Sequence, residues 1–508
     1  MGHHLVNPDR RYDRLQERLD RNVTGAPDSP AFRKALEILF SPEDADVAAR
    51  VPTKPIRVEK LAARLGLEPS RLDDRLTAMA HRGLVFDLTK DGKRYVSLAP
   101  VVIGFFELTF MRSGGDDLPR AELARLFEEY FFEEGGAFAE AVFGGDTQIG
   151  RSLVRETALP EDATEVLDHE RATRIVETAR SAAVSLCACR HHSEHLGTAC
   201  DAPRRVCLSF GSGADALVRT GHAERIDRAE AMRILREAQA AGLAQTGDNV
   251  KREVGYICNC CGCCCGMMRA FKSHGMTKAI VSSSWLMEVD REKCGGCGLC
   301  ARACPVDAIG LVEVDDAGRR RRKAVPDPAL CLGCGVCHSA CRQGAIAMKP
   351  RERKVFTPED TFERYVAMAI ERGKLADLLL EDVESLPMQA VGRVVKLLEA
   401  APPVKAALAI APLRSAFLSA ALPLARLATD GVAILPSLLT RHEAARALDR
   451  LWAASAESSR RGVPRSGSGA YSVSTPAKCA LKSPGSGTAC SSSAPRSRAA
   501  AERGPGPA

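Results

Sequence analysis

Two short stretches constrain this chain more than any other feature. One reads Cys294-Gly-Gly-Cys297-Gly-Leu-Cys300-Ala-Arg-Ala-Cys304 and is followed by Pro305. The other reads Cys331-Leu-Gly-Cys334-Gly-Val-Cys337-His-Ser-Ala-Cys341. The same C-x2-C-x2-C-x3-C spacing occurs twice, offset by 37 residues. Three thiols at every third position can face one centre from a single tight loop, with glycines relieving the crowding. Two complete copies make a chance match implausible. The 508 residues hold 20 cysteines, of which 18 fall between Cys187 and Cys341. A chain this long with cysteines this clustered is not a secreted disulfide scaffold. The spacing suits thiolates that hold metal in a reducing compartment.

The repeat resembles that of the bacterial two-cluster [4Fe-4S] ferredoxins, over about residues 285–350. That resemblance implies two [4Fe-4S] clusters with crossed ligation. Cys294, Cys297, Cys300 and Cys341 would hold one, and Cys331, Cys334, Cys337 and Cys304 the other. It also implies one-electron transfer between neighbouring clusters, and hence a redox partner protein. The second copy carries Arg342 where the first has Pro305. Proline shapes that turn and is not a ligand. Asp307-Ala308-Ile309 and Gly344-Ala345-Ile346 mark the internal pseudo-symmetry. The basic run Arg319 to Lys323 reads as a solvated hairpin tip, or alternatively as a docking patch for an acidic redox partner.

Ten further cysteines precede this repeat. Cys187, Cys189, Cys200 and Cys207 form one region, with irregular gaps rather than a regular C-x2-C zinc pattern. Cys258, Cys260, Cys261, Cys263, Cys264 and Cys265 form a second, too crowded for all six to bind one ion. Some are bystanders, or two centres share the area. Three readings stand: a third iron–sulfur cluster, a structural zinc ion, or redox-active or inert thiols. The CCG elements are similar to the cysteine-rich segments of heterodisulfide-reductase-like proteins. That family's downstream C-x2-C and its repeat have no counterpart that can be placed here. His191, His192 and His195 read as surface or cap histidines; the alternative is a mixed Cys/His ligand set or proton handling.

The N-terminal third follows a different pattern. Residues 31–40 and 56–65 read as helices, Gly66 to Pro69 as a break, and 70–81 as another helix. Two short strands then flank Asp91-Gly92, a strong hairpin signal. This order resembles a winged helix-turn-helix over residues 31–98. In the DNA-binding form of that fold the second helix enters the major groove. Here it would carry Arg71, Arg75, His81 and Arg82, with a wing of Lys90, Lys93 and Arg94. Asp73 and Asp74 on the same helix oppose phosphate contact. DNA binding is therefore not the favoured use; packing or dimerisation is.

The fold class expected is α+β and multidomain. An N-terminal extension (1–30) without a firm pattern leads into the winged-helix-like module (31–98). An aromatic-rich linker (99–160), with Phe105, Phe106, Phe110, Phe127, Tyr130, Phe131 and Phe132, reads as core rather than cofactor pocket. A helical Cys-rich domain (161–284) follows, with a long helix over 165–186 and another over 228–241. After the ferredoxin-like domain (285–350) come a helical C-terminal region (351–452) and a disordered, Ser/Ala/Gly/Pro/Arg-rich tail (453–508). Cys479 and Cys490 in that tail are poor ligand candidates.

A net charge of +7, from 71 Lys+Arg against 64 Asp+Glu, says little about partners. The apolar stretch 404–440 is interrupted by charges and prolines, so no transmembrane span is expected. No signal-peptide core is present at the start, and the chain is expected to be cytoplasmic. No Rossmann fingerprint or P-loop occurs. The function expected is an iron–sulfur electron-transfer protein or redox subunit with two clusters and a further metal centre upstream. The alternatives are a redox-responsive DNA-binding regulator and a complete oxidoreductase with its site in the Cys-rich region.

Overall fold

A computed structural model describes residues 10–380, apart from 91, 115–116, 161–166, 317–318, 353–354 and 356. The expectations for the tail, for 404–440 and for Cys479 and Cys490 lie outside the described residues. The architecture is α+β, and the described part falls within one compact unit.

The first element is a helix, Arg11–Asp20, in the segment where the sequence showed no firm pattern. Leu15 and Leu19, one turn apart, are the apolar side chains it buries. Helix Pro30–Leu39 begins where Ser29 accepts the Phe32 N–H at 3.0 Å, with proline at its first position. Helix Pro42–Ala48 repeats the device with Ser41. Then come strand β1 (Ile56–Arg57), helix Val58–Leu65 and helix Pro69–His81. Strands β2 (Val85–Lys90) and β3 (Lys93–Leu98) form the hairpin that Asp91-Gly92 announced, and the sheet order is β1-β3-β2.

Aromatic rings join this module to the rest. Phe105, Phe110 and Phe127 are fully buried, and Phe32 stacks on Tyr130 at 4.5 Å between centroids. Helix Thr361–Arg372 adds Val366 to Ile370 to the same core. It is tied there by Lys374, whose Nζ donates to the Asn22 carbonyl at 2.9 Å.

The Cys-rich region is not helical as expected; a six-stranded antiparallel sheet organises it. Its strands are β4 (Gly150–Ser152), β5 (Ala182–Leu186), β6 (Arg205–Phe210), β7 (Glu224–Ile226), β8 (Ala244–Asp248) and β9 (Tyr256–Cys260). They run in the order β4-β8-β9-β6-β5-β7. Helices Ala172–Thr178 and Arg228–Ala240 cover one face through Ile175, Val176, Ile234 and Leu235. The long helix expected over 165–186 is instead this short helix followed by β5. The Ala182–Leu186 run pairs with β6 on one side and β7 on the other, and that pairing overrides helix propensity.

In the last third, β10 (Trp285–Val289) pairs with β13 (Ile346–Pro350), and β11 (Ile309–Asp316) with β12 (Arg319–Pro326). A buried ion pair, Arg151 with Glu170, locks this part to the large sheet. Glu170 also accepts from the Ser284 N–H and hydroxyl, and Arg151 donates to Thr357 at 2.7 Å.

Candidate metal centres and the cavity between them

The two cysteine repeats fold alike. Each has a pair of glycines in the left-handed region, Gly296 and Gly298 in one and Gly333 and Gly335 in the other. Each pair then opens a one-turn helix, Leu299–Ala303 or Val336–Ala340. A side chain at Gly296 or Gly333 would run into backbone, of Arg322 and Trp285 respectively. The loops therefore close as tightly as the spacing demanded.

The fourth cysteine of each run faces the other loop. Cys341 lies with Cys294, Cys297 and Cys300 around one small cavity, and Cys304 with Cys331, Cys334 and Cys337 around another. Backbone N–H groups point at sulfur: Ala308 at Cys304 (3.2 Å), Ala345 at Cys341 (3.3 Å) and Ala324 at Cys294 (3.5 Å). Such donors favour thiolate and lower the cost of adding negative charge to a bound cluster. The donor sets thus fit two iron–sulfur clusters. Cys297 is exposed, whereas Cys334 and Cys337 are buried.

The ten upstream cysteines separate into four and six. Cys200, Cys261, Cys263 and Cys264 bring their sulfurs within 4.8 Å of one another, a group able to hold a metal ion. Cys263 and Cys264 are 3.7 Å apart, and Cys200 and Cys264 3.9 Å. Four thiolates sharing one tetrahedral ion at a metal–sulfur distance of about 2.3 Å stand roughly 3.8 Å apart. The terminal thiolates of a cube radiate from different irons and stand farther apart. The sequence carried a signal for this set that the irregular gaps of the first region hid: Cys261 and Cys264 are themselves in C-x2-C relation.

Five of the other six form a chain of sulfur contacts running Cys207, Cys258, Cys260, Cys265, Cys189. Cys187 lies beside Cys189 and Cys207. Strands β6 and β9 supply Cys207, Cys258 and Cys260. The start of helix Ala188–His195 supplies Cys187 and Cys189, and the start of helix Gly266–Ser273 supplies Cys265.

Charge distinguishes these thiols. A hydrogen bond from Cys264, with the charge of Arg190, holds the Cys261 thiol down to about 3. A hydrogen bond from Cys258 lowers Cys260 to about 6. Burial pushes Cys187 up to about 12. Arg190 is fully buried, and among the described residues no carboxylate pairs with it. Its Nη2 donates to the Asn259 carbonyl at 3.1 Å, and its charge faces Cys187, Cys260 and Cys261. A buried guanidinium needs an anion, and of the groups facing Arg190 the most readily ionised is the Cys261 thiol.

These six cysteines, together with Cys261 and Cys264, line part of a cavity of about 280 Å³. Phe106, Phe131, Phe132, Phe138, Ile149 and Met267 supply much of the remainder. The aromatic region is thus core in part and cavity wall in part. One carboxyl group stands among these apolar walls: Glu107, whose Oε2 accepts the Gly104 N–H at 2.8 Å. Burial raises its pKa to about 7.

Two of the three histidines are not at the surface, and His195 is half-buried with its ring 4.8 Å from that of His191. His191 and His192 are buried and bond the carbonyls of Phe110 (2.8 Å) and Ala124 (2.9 Å). They clamp the helix of residues 188–195 onto the aromatic core, and burial lowers the pKa of His192.

The residues considered for DNA contact are largely occupied within the chain. Arg75 and Arg82 both pair with Asp44 at 3.0 Å. Arg94 bridges Asp73 and Asp87, and Arg219 also reaches Asp87. Arg71, Lys90 and Lys93 are exposed. On the β11–β12 hairpin, Glu313 stands opposite Arg322 and Asp315 opposite Arg320, so the basic run faces an acidic strand. Lys323 is buried instead, donating to the carbonyls of Arg291 (2.8 Å) and Cys294 (2.9 Å).

The upstream centre and the ferredoxin-like part share one core. Cys260, Cys265, Met268 and Phe271 pack with Val306, Leu332, Cys334 and Val336. Gly262, between the paired cysteines, lies directly on Pro305, the residue after Cys304. No helix among the described residues is long and apolar enough to cross a membrane.

Residues 293–345 match the family model described as a 4Fe-4S dicluster domain. No curated protein and no solved structure matches the chain.

Proposed function

We propose that this chain is an iron–sulfur electron-transfer protein or redox subunit whose two [4Fe-4S] clusters relay electrons toward the Cys-rich region. Cys294, Cys297, Cys300 and Cys341 hold the outer cluster, where exposed Cys297 gives a partner protein access. Cys331, Cys334, Cys337 and Cys304 hold the inner one. The observation that carries this reading is the shared core in which the Cys304-Pro305 turn touches the loop of Cys261 to Cys264. The clusters supply one-electron storage. The chain's own residues hold them apart from water, aim N–H groups at sulfur and set the direction of transfer by burial.

The set Cys200, Cys261, Cys263 and Cys264 holds one tetrahedral ion of the zinc type. The close sulfur spacing supports a single ion there over the third cube considered from sequence. Any further iron belongs to the six inner cysteines.

The N-terminal helices and the β1-β3-β2 sheet follow the winged-helix order. The ion pairs that engage Arg75, Arg82 and Arg94 support a packing role for that module.

Anaerobic quantitation of iron, sulfide and zinc, combined with paramagnetic resonance, tests the reading. It expects two interacting cubes, with eight irons in the ferredoxin-like part, and one zinc. A sample with only four irons, or with cubes that show no magnetic interaction, overturns the relay.

A further inference from the structure

The relay does not use the 280 Å³ cavity, and the cavity has the makings of a small-molecule site. Its size is about twice the roughly 150 Å³ that accommodates one benzene ring. Its walls are apolar and rich in aromatic rings, which pack flat partners by edge and face. Glu107 is the single carboxyl on its lining, with Oε2 fixed by the Gly104 N–H; Arg190, His192, Tyr256, Asn259 and Arg269 also border it. Predominantly apolar walls with a few placed polar groups are the usual composition of a ligand pocket. The two guanidiniums on the lining are engaged, Arg269 with Glu128 and Arg190 with the Asn259 carbonyl and the thiols, so a charged ligand would not be repaid for its desolvation.

We propose that this cavity binds a small, uncharged aromatic molecule of two or three rings that carries one hydroxyl or carbonyl oxygen, hydrogen-bonded by Glu107. The inner cysteines and the aromatic rings both line the cavity, so a bound ligand is bordered by both. The inference concerns binding and stands whether or not the relay operates.

Equilibrium dialysis of the full-length, metal-loaded chain against 2-naphthol tests it. The expected result is saturable binding with one equivalent per chain. Naphthalene-2-sulfonate, of the same ring size but charged, should bind at least tenfold more weakly. Met267→Trp, which fills the cavity from a half-buried position, should abolish binding while iron content and circular dichroism stay unchanged. Glu107→Leu should weaken binding by up to about tenfold, the worth of one hydrogen bond, and Glu107→Gln should restore most of it. Non-saturable uptake, equal binding of the sulfonate, or undiminished binding by folded Met267→Trp would each overturn the proposal. So would binding of n-decanol in preference to 2-naphthol, which would mark an aliphatic chain as the ligand.

Discussion

A methyl group on Gly262 would lie 2.5 Å from the Pro305 carbonyl oxygen and 2.9 Å from its Cα. Real side-chain carbons do not approach backbone that closely. Gly262 is therefore the point where the loop of Cys261 to Cys264 is allowed to touch the Cys304 turn. Gly262→Val should force the two apart and lower stability by about 1–3 kcal/mol, the usual cost of overpacking. Thermal unfolding should show the loss while the iron content of the ferredoxin-like part stays that of the parent chain. Gly266→Ala, at a position with nothing within 4 Å of the added carbon, is the control and should be near neutral.

The division of the ten upstream cysteines predicts a division of metal. Cys200→Ser and Cys264→Ser should each lose the tetrahedral ion and keep both cubes. Cys207→Ser should keep that ion, because Cys207 contacts Cys258 and Ser185 rather than the four-sulfur group. Zinc and iron measured on the same preparations decide it. Loss of iron in place of zinc from Cys200→Ser would show a cluster at that position.

What the sequence revealed of this arrangement follows a physical line. Local rules were legible. The two repeats, the Asp91-Gly92 hairpin and the helix Arg228–Ala240 each depend on neighbours a few residues away. Partners distant in sequence were not legible. Strand β5 is a strand because β6 and β7 flank it, and an alanine-rich run gives no sign of that. His191 and His192 are buried because Phe110 and Ala124 offer carbonyls from 68 or more residues away. Cys200 joins Cys264 across 64 residues. The cavity was hidden for the same reason, since its aromatic wall and its thiols come from separate segments.

Arg155 places a guanidinium whose charge faces Cys334 and Cys337, two of the cysteines proposed to hold the inner cluster. Its Nη1 donates to Ser339 Oγ at 2.7 Å and its Nη2 to the Leu243 carbonyl at 2.9 Å. Reduction adds negative charge to a cluster, and a nearby cation stabilises the reduced form. Arg155→Leu should therefore lower the inner cluster's potential by tens of millivolts and leave the outer one nearly unchanged. Arg155→Lys should recover much of the shift, and Ser339→Ala, which keeps the charge, should move it little. Redox titration followed by paramagnetic resonance separates the two clusters. Equal shifts in both would show that Arg155 acts through the general fold rather than its charge.

Glu107 should give stability a pH dependence of opposite sign to that of a salt-bridged carboxylate. Burial raises its folded pKa to about 7 from an ordinary value of 4.5. Below 4.5 both folded and unfolded states hold the proton, and the group costs nothing. Between 4.5 and about 7 the unfolded state releases the proton while the folded state keeps it. Stability then falls as pH rises, and it levels off above 7. At about 1.4 kcal/mol per unit the full loss is about 3 kcal/mol. Glu107→Gln removes the titration and keeps the shape. The difference in unfolding free energy between Glu107→Gln and the parent chain should therefore grow in the variant's favour from pH 4.5 to 7 and then stay constant. A difference that is flat over this range would mean that Glu107 is ionised in the folded chain, with a counter-charge in the cavity.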